Sequence, residues 1–161
     1  MKQSRQYTLI IPYGPDSLNQ HYFGTRQEMM DLKLRWEQRT ITVLEQATAE
    51  RLIPYRFTGT AEFFFRLYFE NPRNRDLDNY FLIVKGIMDA FVTTAIVKDD
   101  NYRYVLQNGM RIFLDPERPR IELDITHRYD DRDYVSIAKA RTDEAGAVTT
   151  APAVSIASDK K

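Results

Sequence analysis

Residues Arg73–Asp100 read RNRDLDNYFLIVKGIMDAFVTTAIVKDD, and the fold turns on what this run becomes. It opens on Asp76 and Asp78 in alternation, followed by Asn79, and it closes on Asp99 and Asp100 directly after the short apolar segment Ala95–Val97. Between them, Tyr80 to Met88 is apolar except for Lys85 and Gly86. A segment from Asn79 to Phe91 that is apolar all round predicts a helix buried on most sides. The β-branched pair Ile83-Val84 leaves a strand open as an alternative. Acidic clusters at both ends of a buried helix suggest a site for a hard cation, which needs oxygen ligands from several parts of the chain.

A buried helix needs a sheet to cover it, and the flanking sequence supplies strands. Ala61 to Glu70 alternates, with Ala61, Phe63, Phe65, Leu67 and Phe69 on one side and Glu62, Arg66, Tyr68 and Glu70 on the other; this is the clearest strand pattern in the chain. Tyr7 to Ile11 reads as a strand that runs into a turn-rich loop, Pro12 through Gly24. Gln27 to Ile53 is rich in helix formers, with Met30, Leu34, Ile41, Leu44 and Thr48 near one face and Pro54 as the stop. Trp36 falls off that stripe and is read either as packing or as a second contact surface. Tyr102 to Leu114 reads as strand, with Asn108-Gly109 a tight hairpin turn or a bulge. After the turn at Asp115–Pro119, Arg120 to Thr126 alternates with Ile121, Leu123 and Ile125 on one face. The tight turn predicts that these last two strands are antiparallel.

The expected architecture is therefore α+β, a small single domain with a mixed sheet, a long N-terminal helix and a buried central helix. Residues 1–127 form the domain. Residues 128–161, which pass from charges into Ala, Thr, Ser and Pro, are expected to be a largely disordered extension.

The totals narrow the chemistry. The chain has 161 residues, no cysteine and two histidines, His21 and His127. That excludes disulfides, thiolate metal sites and a cysteine nucleophile, and leaves imidazole-based schemes poorly supplied. Lys+Arg and Asp+Glu are both 23, so a polyanionic partner would have to meet a local basic patch rather than a general positive field. The N-terminal apolar run is far too short for a signal peptide or a membrane span, which predicts a soluble, cytoplasmic protein without a membrane partner.

In an extended segment Asp76 and Asp78 point to the same side and can share one cation, with Asp99 or Asp100 as a third ligand source. Mg²⁺ suits such a set, since it takes one or two carboxylates and keeps the rest of its shell for water and phosphate oxygens. The competing reading of Asp78 or Asn79 is a helix cap. On a continuous helix Lys85 lies on Asp78's face about 10.5 Å away, where it can stabilise charge on a phosphate; the competing reading is an ion pair with Asp89 four residues on. Gly86 marks a close backbone approach, by a second subunit, or an ordinary helix–strand contact. Arg73, Arg75, Lys98, Arg103 and Arg111 ring the acids, as cations that hold flanking phosphates would.

Taken together, these residues resemble the RusA family of Holliday-junction resolvases. The likeness lies in Arg73 and Arg75, then Asp76-Leu77-Asp78-Asn79, Lys85, Asp89-Ala90 and Asp99-Asp100, with IPYGPDSLNQHY similar to the family's opening strand and loop. It runs from about Tyr7 to Thr126. In the family the lysine follows the asparagine by three residues, the position of Leu82 here, so Lys85 matches across an insertion of three. The resemblance implies a Mg²⁺-dependent endonuclease, a homodimer that nicks symmetric strands of a four-way DNA junction. Asp76, Asp78 and Asp100 would be its metal-binding carboxylates, Asp99 an additional acid, Lys85 the catalytic lysine, and Arg73, Arg75, Lys98 and Arg103 its DNA contacts. Two other readings remain: a junction-binding protein without cleavage on the same scaffold, and a phosphohydrolase acting on a smaller substrate in a closed pocket.

Overall fold

The computed structural model describes residues 3–15 and 24–129. Four strands and two helices build it: β1 (Gln3–Ile11), α1 (Arg26–Ala49), β2 (Thr60–Phe69), α2 (Phe81–Thr93), β3 (Val105–Leu114) and β4 (Arg120–Tyr129), with a 3-10 turn over Leu77–Tyr80. The architecture is α+β, as the alternation of patterns predicts. Residues 1–2 and 16–23, His21 among them, and residues 130–161, on which most of the expected extension falls, lie outside the described residues. Arg128 and Tyr129, assigned above to the extension, instead complete β4, where they pair with Ser4 and Gln3.

The sheet order is β1-β4-β2-β3, and β4 runs antiparallel to both of its neighbours while β2 and β3 are parallel. The tight turn before β4 does not make β3 and β4 neighbours. The chain steps over the end of β2, where Asp115 N donates to Phe69 O at 2.8 Å, and β4 enters on β2's other side. The reason lies in burial. Ile121, Leu123 and Ile125 are almost fully buried, which suits a central strand, whereas Leu106 to Gly109 are exposed, which suits an edge.

Asn108 proves to be a bulge. Phe63 aligns with Gln107 and Phe64 with Gly109, which leaves Asn108 unpaired, and its side chain donates to Glu62 at 2.9 Å. Gly109 carries φ +139° there, a conformation that side chains disfavour. The extra residue shifts the phase of the strand, so Val105 faces inward before it, and Met110 and Ile112 pack on the core after it.

Both helices serve one sheet face. Phe91 meets Phe63 edge-on at 5.0 Å between ring centroids, and Tyr80 meets Phe69 at 5.2 Å. The opposite face carries a polar ladder: Arg66 pairs with Glu122 at 2.9 Å and Asp124 at 2.6 Å, Arg120 with Glu122 and Asp115, and Arg128 with Glu62.

The buried stripe of α1 is Leu32, Trp36, Thr40, Leu44, Ala47 and Thr48; it includes Leu44 and Thr48 of the expected face, and Ile41 packs partly buried against the core, whereas Met30 and Leu34 are both 45% exposed. Thr40 donates to Trp36 O at 2.7 Å and Thr48 to Leu44 O at 2.9 Å. A helical threonine that satisfies its hydroxyl on the preceding turn presents only its methyl to the core. Trp36 belongs to this stripe and is fully buried, which settles it as packing.

α1 opens on a capping box at Thr25 and Glu28, whose backbone and side-chain bonds are reciprocal at 3.2 and 2.7 Å. It ends at Ala49 rather than at Pro54. Arg51 turns left-handed at φ 60°, Arg51 N donates to Thr48 O and Leu52 N to Ala47 O, the pairing that closes a helix with a left-handed residue. Ala95 at φ 58° begins the exit from α2 in the same way, and Ile96 and Val97 then bury themselves in the core.

The helices touch closely at Gly86. A Cβ there would lie 2.5 Å from Lys33 O, 3.1 Å from Trp36 Cβ and 3.3 Å from Glu37 N. The close approach at this glycine is therefore a helix–helix contact inside the chain, not the second-subunit or helix–strand contact expected. Among the described residues, no helix is long and apolar enough to cross a membrane.

Candidate functional site

α2 carries the site because its two ends receive the two acidic segments. At its N-terminal end Asp76 is extended, at φ −89° and ψ 131°, and its carbonyl accepts from Asn79 N at 3.1 Å. The chain then tightens into the 3-10 turn at Leu77. The same-side placement of Asp76 and Asp78 required an extended segment through both, and each residue of a 3-10 turn rotates about 120°. Both acids are exposed, and Asp76 makes no side-chain capping bond.

At the other end the exit from α2 swings Lys98, Asp99 and Asp100 back along the helix. Lys85 Nζ donates to Asp100 Oδ2 at 2.6 Å and lies 2.9 Å from Asp89 Oδ1. The expected ion pair with Asp89 is therefore present, and Asp100 joins it from fifteen residues away. The bond to Asp100, with that to Asp89 second, raises the Lys85 pKa, and Lys85 in turn lowers that of Asp100. Burial works to raise the Asp89 carboxyl, yet bonds from Lys33 and Lys85 outweigh it and hold it below the usual carboxylate range. Asp99 serves its own turn, accepting from Asp100 N at 2.8 Å and from Asn101 Nδ2 at 2.7 Å.

Lys33 is the participant that sequence reasoning missed. It reaches Asp89 Oδ2 at 2.6 Å from α1, and one turn on Glu37 accepts from Thr93 at 2.8 Å. A signal existed: Lys33 and Glu37 are four apart, as are Asp89 and Thr93, so two helices in contact at Gly86 can match them rung for rung. Between these rungs and Asp100 lies an open cleft of about 310 Å³, lined by Lys33, Glu37, Asp89, Val92, Thr93 and Asp100.

The expected DNA contacts divide. Arg75 is committed to its own loop: it donates to Asn71 O and Arg73 O at 2.8 Å each and to Asn71 Oδ1 at 2.5 Å, and it lies 4.0 Å over the Phe69 ring. Arg73, Lys98 and Arg103 are exposed, Lys98 near the Tyr104 ring and Arg103 beside Tyr102. Tyr102 and Phe81, at 81% and 64% exposure, add flat apolar surface near the two acidic segments.

The donor set, all carboxylate oxygens, suits a hard cation such as Mg²⁺. Its convergence is incomplete: among the described residues no group of three or more carboxylates or imidazoles stands together to hold a metal ion. What the fold does bring together is Lys85 with Asp89 and Asp100, one turn into the helix that Asp76 and Asp78 precede. Comparison with protein-family models finds no match for the chain, and comparison with curated proteins finds none either.

Proposed function

We propose that this protein is a Mg²⁺-dependent, structure-selective endodeoxyribonuclease of RusA type, a cytoplasmic homodimer that resolves four-way DNA junctions by paired symmetric nicks in recombination and repair. The observation that carries the reading is Asp100 folded back onto Lys85. It brings the distal acidic segment onto the helix that Asp76 and Asp78 precede. Asp76, Asp78 and Asp100 are the oxygen donors that would hold the ion, with Asp99 adjacent. A Mg²⁺ ion held there would supply Lewis acidity toward a phosphodiester oxygen and a water. Lys85 supplies positive charge beside the phosphate as negative charge develops. Arg73, Lys98 and Arg103 hold flanking phosphates and set the register of the duplex arms. Two copies related by a two-fold axis match the two related strands of a junction.

One observation favours a second reading, a junction-binding protein without cleavage: Asp100 is engaged by Lys85 and three acids do not stand together. A labelled mobile four-way junction, incubated with and without Mg²⁺ beside linear duplex, separates the two. The nuclease reading expects symmetric nicks that need Mg²⁺ and the junction, and loss of cleavage with retained binding in Asp78→Asn. Equal cleavage by that variant and wild type would sink it. Binding without nicks across divalent ions and junction sequences would establish the second reading.

A further inference from the structure

Lys85 is held by two carboxylates of unequal standing. Asp89 lies one turn along the same helix, its side chain only 20% exposed, and its second oxygen is taken by Lys33 at 2.6 Å. Asp100 comes from the loop after α2, its side chain is 46% exposed, and Lys85 is its cation. Asp89 is thus fixed from two helices, whereas Asp100 is tied to the site by one bond and a short loop. The fixture is built into the packing. Lys33 reaches Asp89 because the helices close at Gly86, where the Lys33 carbonyl sits against the glycine itself.

The four groups Lys33, Asp89, Lys85 and Asp100 sum to zero charge. If Asp100 turns to a cation, the remaining three carry one net positive charge, with Glu37 the other carboxylate lining the cleft. A lysine without a fixed partner would then lose its place, since its four-carbon stem is flexible and its ammonium strongly hydrated. We propose that Asp89 is a positioning residue for Lys85: clamped by Lys33, it keeps the ammonium in place when Asp100 is drawn away, so that Lys85 meets a phosphodiester rather than bulk water. The inference rests on the nuclease reading for what Lys85 is held ready to do, and on the geometry alone for what holds it.

The test uses the full chain and reads the amine directly. Acetylation of Lys85 by acetic anhydride is followed by peptide mass spectrometry, relative to exposed Lys98, with and without Mg²⁺. In wild type and in Asp100→Asn, Lys85 stays protected in both conditions. In Asp89→Asn, Asp100 alone protects it, and Mg²⁺ raises its labelling roughly threefold, the scale of one partly exposed pair lost. Lys33→Gln, which leaves both carboxylates in place, gives a smaller rise in the same direction and guards against an Asp89→Asn chain that folds poorly. On the junction, Asp89→Asn lowers kcat with little change in KM, and Asp89→Glu restores part of it. Labelling that rises as much in Asp100→Asn as in Asp89→Asn would overturn the proposal, because Asp89 would then hold the amine no better than Asp100 does. A wild-type chain that cuts no junction would overturn the nuclease reading alone, since the labelling still decides the anchor.

Discussion

Replacing Gly86 by alanine sets two effects of opposite sign against each other. Alanine favours a helix interior over glycine by about 1 kcal/mol, so at an open position the change would stabilise. Here the new Cβ would lie 2.5 Å from a backbone carbonyl oxygen, that of Lys33, and 3.1 Å from Trp36 Cβ. Neither atom is the free end of a flexible side chain, so the helices must separate. Forcing a methyl into a packed seam costs about 1–3 kcal/mol. Separation also loosens the Lys33–Asp89 and Glu37–Thr93 contacts, each of which adds about 0.5 kcal/mol at partial exposure. The steric term wins, and we expect a net loss of about 1–3 kcal/mol. In a chain of this size that lowers Tm by about 2–12 °C. Thermal and urea denaturation of wild type and Gly86→Ala, read by circular dichroism, measure it. An unchanged or raised Tm would refute the reasoning, because it would mean that helix propensity rather than the close approach governs this position.

Three further outcomes can be measured. Arg75→Ala removes three hydrogen bonds and the contact over Phe69, and should cost about 1–2 kcal/mol in urea unfolding. Arg73→Ala should leave stability alone but reduce the salt dependence of DNA binding by about one phosphate contact; equal stability losses in the two variants would contradict this division. Because the folded Asp89 carboxyl titrates below its unfolded value, its stabilisation is fully present above the usual carboxylate pKa of about 3.9 and fades as pH falls toward the folded value. The stability advantage of wild type over Asp89→Asn should therefore hold at neutral pH and shrink on acidification below about pH 4. An advantage constant through that range would place the effect in packing instead of charge.

The elements themselves were legible in the chain because their periods are local properties. Ala61 to Phe69 alternates and alternates in the fold; Asn79 to Phe91 is apolar all round and becomes a buried helix, apart from Phe81 at its exposed start. The buried face of α1 is legible at Leu44 and Thr48 but not at Thr40, because threonine counts as polar in a pattern while Thr40 spends its hydroxyl on the preceding turn; Met30 and Leu34 are apolar and yet exposed. The end of α1 was misplaced because proline is a visible stop and a left-handed arginine is not. At the site, the alternation of Asp76 and Asp78 was visible, but the 3-10 turn that changes their relation was not, since four residues carry no period to read.

Local pattern yields the inventory: a mixed α+β chain, oxygen donors without thiols, two acidic segments at the ends of one apolar helix, and a glycine that had to meet something. The tertiary structure decided which groups face one another. It set β4 between β1 and β2, since burial on both flanks favours the strand with the cleanest apolar face. It closed α1 on α2 at Gly86 and so delivered Lys33 to Asp89. By turning the chain back after Ala95, it also brought Asp100 to Lys85. Periodicity reports which way a side chain faces along its own element; which charge it meets depends on how elements pack, and that is a property of the whole chain.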